Sequence, residues 1–150
     1  MCRCAQSKKY VAGLTPDKNK RRLQLEGVRQ QRYATTHPFY WIAKILRNRG
    51  KRTSRKVEVD ATFLEQLWNK QKGLCALTGQ KMRLDIIEKV GWKFQKDRVS
   101  VDRIDSSQDY VPGNIQLILA GVNIAKNARS QEEFIEMCKA VAAHCQQRVI

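Results

Sequence analysis

The chain has no apolar run near the ~18 residues of a membrane-crossing helix. Its opening, MCRCAQSKK, holds no apolar segment of the kind a secretory signal carries. A cytoplasmic protein with no membrane partner is the expectation. Cysteine is present but poorly placed: there are five, an odd number, and no C-x-x-C pair. Cys2 and Cys4 are too close for a zinc knuckle, Cys138 and Cys145 lie two helical turns apart, and Cys75 stands alone. A disulfide framework and a structural zinc are both disfavoured. No internal repeat or low-complexity tract is found. With 42% hydrophobic and 29% charged residues in 150, the composition is that of one ordinary globular domain.

Acidic residues are scarce at one end only. Residues 1–56 carry sixteen of the 29 Lys and Arg but two of the 14 acids, Asp17 and Glu26, a net charge of +14. The remaining thirteen bases and twelve acids leave +1 in residues 57–150. A solvated tail is the plainer reading, but solubility needs only a few net charges. The asymmetry is the footprint of a polyanion binder. The chain accordingly divides into a basic, partly flexible nucleic-acid-binding region, 1–56, and a nearly neutral body, 57–150. Lys20, Arg21, Arg22, Arg47, Arg49, Lys51, Arg52, Arg55 and Lys56 are the expected backbone contacts.

Local patterns place the elements. Residues 1–35 read as a flexible arm with a turn at Pro16 and a helix over 18–33 that orders on binding. Residues 39–49 (FYWIAKILRNR) form an amphipathic helix that Gly50 stops; Tyr40 and Trp41 are either core or platforms for bases. A short strand over 56–59 precedes Asp60, an N-cap for a helix over 61–72. Thr78-Gly79 marks a tight turn, and 84–98 a loop or short hairpin. Strands follow over 99–104 and 115–119, joined by the long turn SSQDYVPGN, with a helix beginning near Gly121. Ser130 and Glu133 make a capping box for a last helix over 131–147. Phe134, Ile135, Cys138, Val141, Ala142 and Cys145 are its expected buried stripe.

Strand, long turn, strand and helix fold back into a ββα unit, which brings Asp102 and Asn123 together. Both are hard oxygen donors, and one charge with one neutral oxygen suits an open Mg²⁺ site that cuts a phosphodiester. Asn123 is also unfavourable in a helix by propensity, which argues for a specific role. The plain alternative for Asp102 is an edge-of-strand acid paired to Arg103.

The segments CALTGQKM, VSVDRIDSSQDYVPGNIQLI and VNIAKNARSQEEFIEMCK resemble the HNH (His-Me finger) endonucleases of phages. The likeness spans about residues 60–142 and leaves out the basic arm. It implies an α+β fold, a ββα-metal core with flanking helices. It implies metal-dependent cleavage of DNA, duplex or branched, with one Mg²⁺ or Mn²⁺ held by Asp102 and Asn123. It places Asn114 where an amide ties the long turn, and Lys126 where a cation meets a phosphate oxygen. Thr78-Gly79 stands where zinc-bearing members have a second cysteine. A phage origin would make the compartment the host cytoplasm.

One position departs from the family. The general-base histidine should follow the metal Asp, but here the pair is Asp102-Arg103. A guanidinium cannot take a proton near neutral pH. Three accounts stay open. Asp105 or His37 activates the water; Tyr110 attacks directly; or the site binds nucleic acid, DNA or RNA, without cutting, and Arg103 clamps a phosphate. Plain roles compete throughout: Asp105 as turn initiator, Asn114 as turn residue, Tyr110 as packed aromatic, Lys126 as exposed lysine, and His37 and His144 as ordinary histidines.

Overall fold

The computed structural model describes residues 15–84 and 95–147. The chain divides into two compact units between His37 and Pro38. In the first, α1 (Pro16–Thr36) is a single helix. Pro16 starts it rather than turning the chain, because a first-turn residue has no intrahelical use for its N–H and Asp17 complements the helix dipole. The helix therefore begins before the expected 18–33 span and runs beyond it. At its end the Tyr33 ring stacks on His37, centroids 4.4 Å apart, and Thr36 Oγ1 lies 2.8 Å from His37 Nδ1.

The second unit contains α2 (Pro38–Thr53), α3 (Ala61–Lys70), β1 (Val99–Arg103), β2 (Ile115–Leu119), α4 (Ala120–Lys126) and α5 (Gln131–Gln147). The fold is α+β. β1 and β2 pair antiparallel with Val101 opposite Leu117 and Asp102 opposite Gln116, and α4 follows β2 with no loop between them.

Gly50 does not stop α2. The helix runs through it to Thr53, because the missing side chain admits the returning chain. A Cβ there would lie 2.5 Å from Val57 Cγ2 and 2.7 Å from the Arg55 carbonyl oxygen. The expected strand over 56–59 is reduced to a parallel bridge of Val57 with Tyr110. Asp60 caps α3 as its side chain accepts from the Phe63 N–H at 2.8 Å. The expected loop over 84–98 falls largely on residues outside those described.

Every residue of β2 is buried. Its outer edge is not left bare, since buried backbone groups need partners. Gln71 Nε2 donates to the Leu117 carbonyl at 2.8 Å, and Gln71 Oε1 accepts from the Leu117 N–H at 3.0 Å. The Leu119 N–H donates to Cys75 Sγ at 3.4 Å. Burial pushes the Cys75 thiol up, but hydrogen bonds from the Thr78 side chain and nearby backbone N–H groups outweigh it and lower its pKa. The core gathers Leu46, Leu64, Val101, Leu117 and Ile118 with the ring of Tyr110.

The capping box at α5 forms: the Ser130 N–H donates to Glu133 and the Glu133 N–H to Ser130 Oγ. The expected buried stripe does not. Phe134 is buried, whereas Ile135, Cys138, Val141, Ala142 and Cys145 are exposed. Among the described residues, the buried side chain of the helix is Phe134, in its first turn.

Helix propensity alone would make Gly50→Ala stabilising by about 1 kcal/mol. The two contacts below 3 Å should reverse that, giving a net loss of about 1–3 kcal/mol in a urea melt. An unchanged or raised midpoint would contradict the close approach.

Candidate active site

The site grows from two periodicities that match. Ser100 and Asp102 are two apart on β1 and share one face of the hairpin. Asn123 and Lys126 are three apart on α4 and share one face of that helix. Laying α4 across the hairpin pairs them in order. Asn123 Nδ2 donates to Ser100 Oγ at 2.7 Å and to the Val101 carbonyl at 3.2 Å. Lys126 Nζ lies 3.3 Å from Asp102 Oδ1.

Lys126 is fully buried, not exposed toward a phosphate. Its ammonium has three donors and three oxygen partners: Asp102, the Arg103 carbonyl at 2.8 Å and Ser106 Oγ at 3.3 Å. The other carboxylate oxygen of Asp102 accepts from Gln116 Nε2 at 2.9 Å, and Gln116 also donates to Gln131 Oε1 at the start of α5. Asp102 is thus paired to Lys126 rather than to Arg103. Gln116 was not singled out from sequence. Its signal was a polar residue inside the apolar strand IQLIL.

The long turn is organised by its own side chains. Asn114 accepts from the Asp105 N–H and donates to the carbonyls of Asp105 and Asp109, all within 3.0 Å. Asp105 takes the Ser107 N–H and hydroxyl on one oxygen and Gln108 Nε2 on the other. The Ser107 hydroxyl, the Ser107 N–H and Gln108 hold the Asp105 carboxyl below its ordinary pKa, with a further contribution from Arg103. That makes it a weak base. Arg103 donates to the Gln108 carbonyl at 2.8 Å, and its guanidinium lies 5.0 Å from the centre of the buried Tyr110 ring. His37 belongs to the other unit and is engaged by Tyr33 and Thr36.

An open cleft of about 680 Å³ runs along β1 and α4. Asp102, Asn123 and Tyr110 line it together with Arg49, Arg98 and Arg103. Of the other basic residues, Arg55 donates to the Ser107 carbonyl at 2.6 Å and lies 3.8 Å from Asp109. Lys56 pairs with Glu58, whose hydrogen bond raises the lysine pKa. Arg22 pairs with Glu26 along α1. Lys20, Arg21, Arg47, Lys51 and Arg52 are exposed.

No three His, Cys, Asp or Glu side chains cluster as a metal site among the described residues. An open site of one carboxylate and one amide needs no such cluster. Asn123 spends its nitrogen on Ser100 and Val101, which leaves Oδ1 as the atom that could face an ion. Each Asp102 oxygen accepts one bond and keeps a second lone pair. In donor type the two residues fit a divalent ion. The adjacent ammonium offsets part of the charge that would hold it.

Lys126→Met should cost about 3–5 kcal/mol, because it strands a buried carboxylate. Asp102→Asn added to it should restore part of the loss, as a double-mutant cycle in urea would read. Additive losses would rule out the pair as an interacting unit. Asp105 titrates in the opposite sense to a buried base: its lowered pKa gives stability above the ordinary carboxylate range of about 4. That stability is lost as pH falls through the folded value, so Asp105→Asn should flatten the acid side of the stability profile.

No family model and no curated protein matches the chain. Among solved structures, it is similar to that of the rare-cutting HNH restriction endonuclease PacI, at 21% identity and a TM-score of 0.49, over 71% of this chain and 78% of that one.

Proposed function

We propose that the chain is a divalent-metal-dependent DNA endonuclease. The observation that carries this reading is one cleft lined by Asp102 and Asn123 together with three arginines. A phosphodiester needs positive charge where its oxygens crowd in the transition state, and Arg49, Arg98 and Arg103 supply it. Asp102 and Asn123 would hold the ion, with Lys126 and Gln116 fixing the carboxylate and Ser100 fixing the amide. The ion would supply Lewis-acid polarisation of the scissile phosphate. Arg103 acts as a phosphate clamp, its plane braced on Tyr110. The exposed cations of α1 and α2 add backbone contacts, so affinity falls steeply with salt.

A second reading has its own support. The carboxylate is already paired with a buried ammonium, and that arrangement suits a nucleic-acid binder that does not cut. The test is nicking of plasmid DNA with Mg²⁺ or Mn²⁺. Wild-type protein should nick, and Asn123→Ala should lower the rate at least a hundredfold while the circular dichroism stays native; Asp102→Asn combined with Lys126→Met, which leaves no buried charge unpaired, should lower it as far. DNA left intact by wild-type protein across divalent metals, with salt-sensitive binding indifferent to EDTA, would assign the binder instead.

A further inference from the structure

Beside the cleft lies a smaller pocket of about 200 Å³, walled by Trp41, Ile42, Ile45 and Leu46 of α2 and by the 99–101 stretch of β1. Arg49 and Arg98 line both spaces, and so do residues 99–101. The two therefore adjoin across a shared wall, one cationic and one largely apolar. We propose that this pocket receives an unpaired nucleobase whose phosphate lies in the cleft, so that the preferred substrate is DNA with a base out of its stack. The inference rests on the nucleic-acid reading above and deepens it.

The chemistry of the occupant follows from the pairing of the two surfaces. A nucleotide joins a flat, weakly polar ring to a phosphate within a single residue. An apolar peptide side chain or an acyl chain would fill the pocket but leave the arginines unmatched. The Trp41 ring carries the Lys44 ammonium 4.8 Å from its centre, and with the two isoleucines it forms an apolar wall for a base to pack against. Ile45 is 45% exposed, although it belongs to an apolar wall. On the β1 side, Arg98 closes the wall that the pocket shares with the cleft. Paired bases are held in the helix and cannot enter a recess of this kind, so only an unpaired or extruded base would do so.

The experiment is a competition between three oligonucleotide duplexes binding the full chain, read by fluorescence anisotropy. One is fully paired, one carries a single unpaired thymine, and one carries an abasic residue at that position. The unpaired thymine should bind about tenfold tighter than the abasic duplex. Trp41→Ala and Ile45→Gln should each remove that preference. Binding of the paired duplex, with its salt dependence, serves as the check that each variant is folded. Ile45 is the safer of the two because it is half in solvent. Equal affinity for thymine and abasic duplexes would overturn the base pocket while leaving the endonuclease reading in place. A preference that survives in both variants would place the base elsewhere and overturn it too. Failure to bind any of the three would sink both proposals together.

Discussion

A buried ammonium against a buried carboxylate holds the site in its geometry. Lys126 comes from α4, Asp102 from β1, and the other oxygens around Nζ come from Arg103 and from Ser106 of the long turn. One charge thus fastens helix, strand and turn. Taking two ions out of water is expensive, and a well-packed apolar pair would often be as stable. What the apolar pair would lack is direction. A methyl group packs against whatever is near, while an ammonium with three fixed acceptors selects one placement of α4 along the hairpin. Asn123 sits three residues earlier on the same face, so this placement also delivers its amide to Ser100.

The same pair shapes the field in the cleft. Because Lys126 offsets part of the Asp102 charge, that carboxylate opposes Arg49, Arg98 and Arg103 less than a free one would. An arrangement with Lys126 on the surface would have had a free carboxylate amid the arginines. The acid-poor first third carries the same sign of charge further along the chain. Positive charge therefore goes largely unopposed in two places: in the acid-poor first third of the chain, and among the cleft arginines beside a paired acid.

Features set by neighbours in sequence were legible, and features set by packing were not. The Asp60 cap, the Ser130–Glu133 box and the two strands each depend on a few adjacent residues, and all are present. Gly50 was misread because a glycine after an amphipathic run looks like a stop signal. Its true constraint is Val57 coming back across it. The α5 stripe has sound helical periodicity, but periodicity does not say whether anything faces it. Lys126 runs against composition rules altogether. Burial of a lysine is rare enough that sequence reasoning defaults to exposure. Only the register that sets Asp102 under α4 reverses that. Gln71 and Gln116 were missed for a similar reason: their partners are a strand edge and a carboxylate that become neighbours only once the sheet has formed.

The arginine beside Asp102 can be weighed with magnitudes. A positioned general base is worth about 10²–10⁴ in rate. Removing a single well-aimed charge or hydrogen-bond donor from a transition state costs about 10²–10³. Exchanging the base for a fixed guanidinium therefore trades effects of comparable size. The structure favours the second kind of contribution. No histidine is among the described residues lining the cleft, Asp105 spends its carboxylate on the turn, and Tyr110 is buried under Arg103. Arg103 is braced by the Gln108 carbonyl and the Tyr110 ring, so under the proposed reaction it would need little reorganisation. On this argument the proposed chemistry would lean on stabilising the crowded phosphate more than on activating its attacker, and the hydrogen bonds of Asn114 within the long turn would serve that role by fixing the segment that braces Arg103.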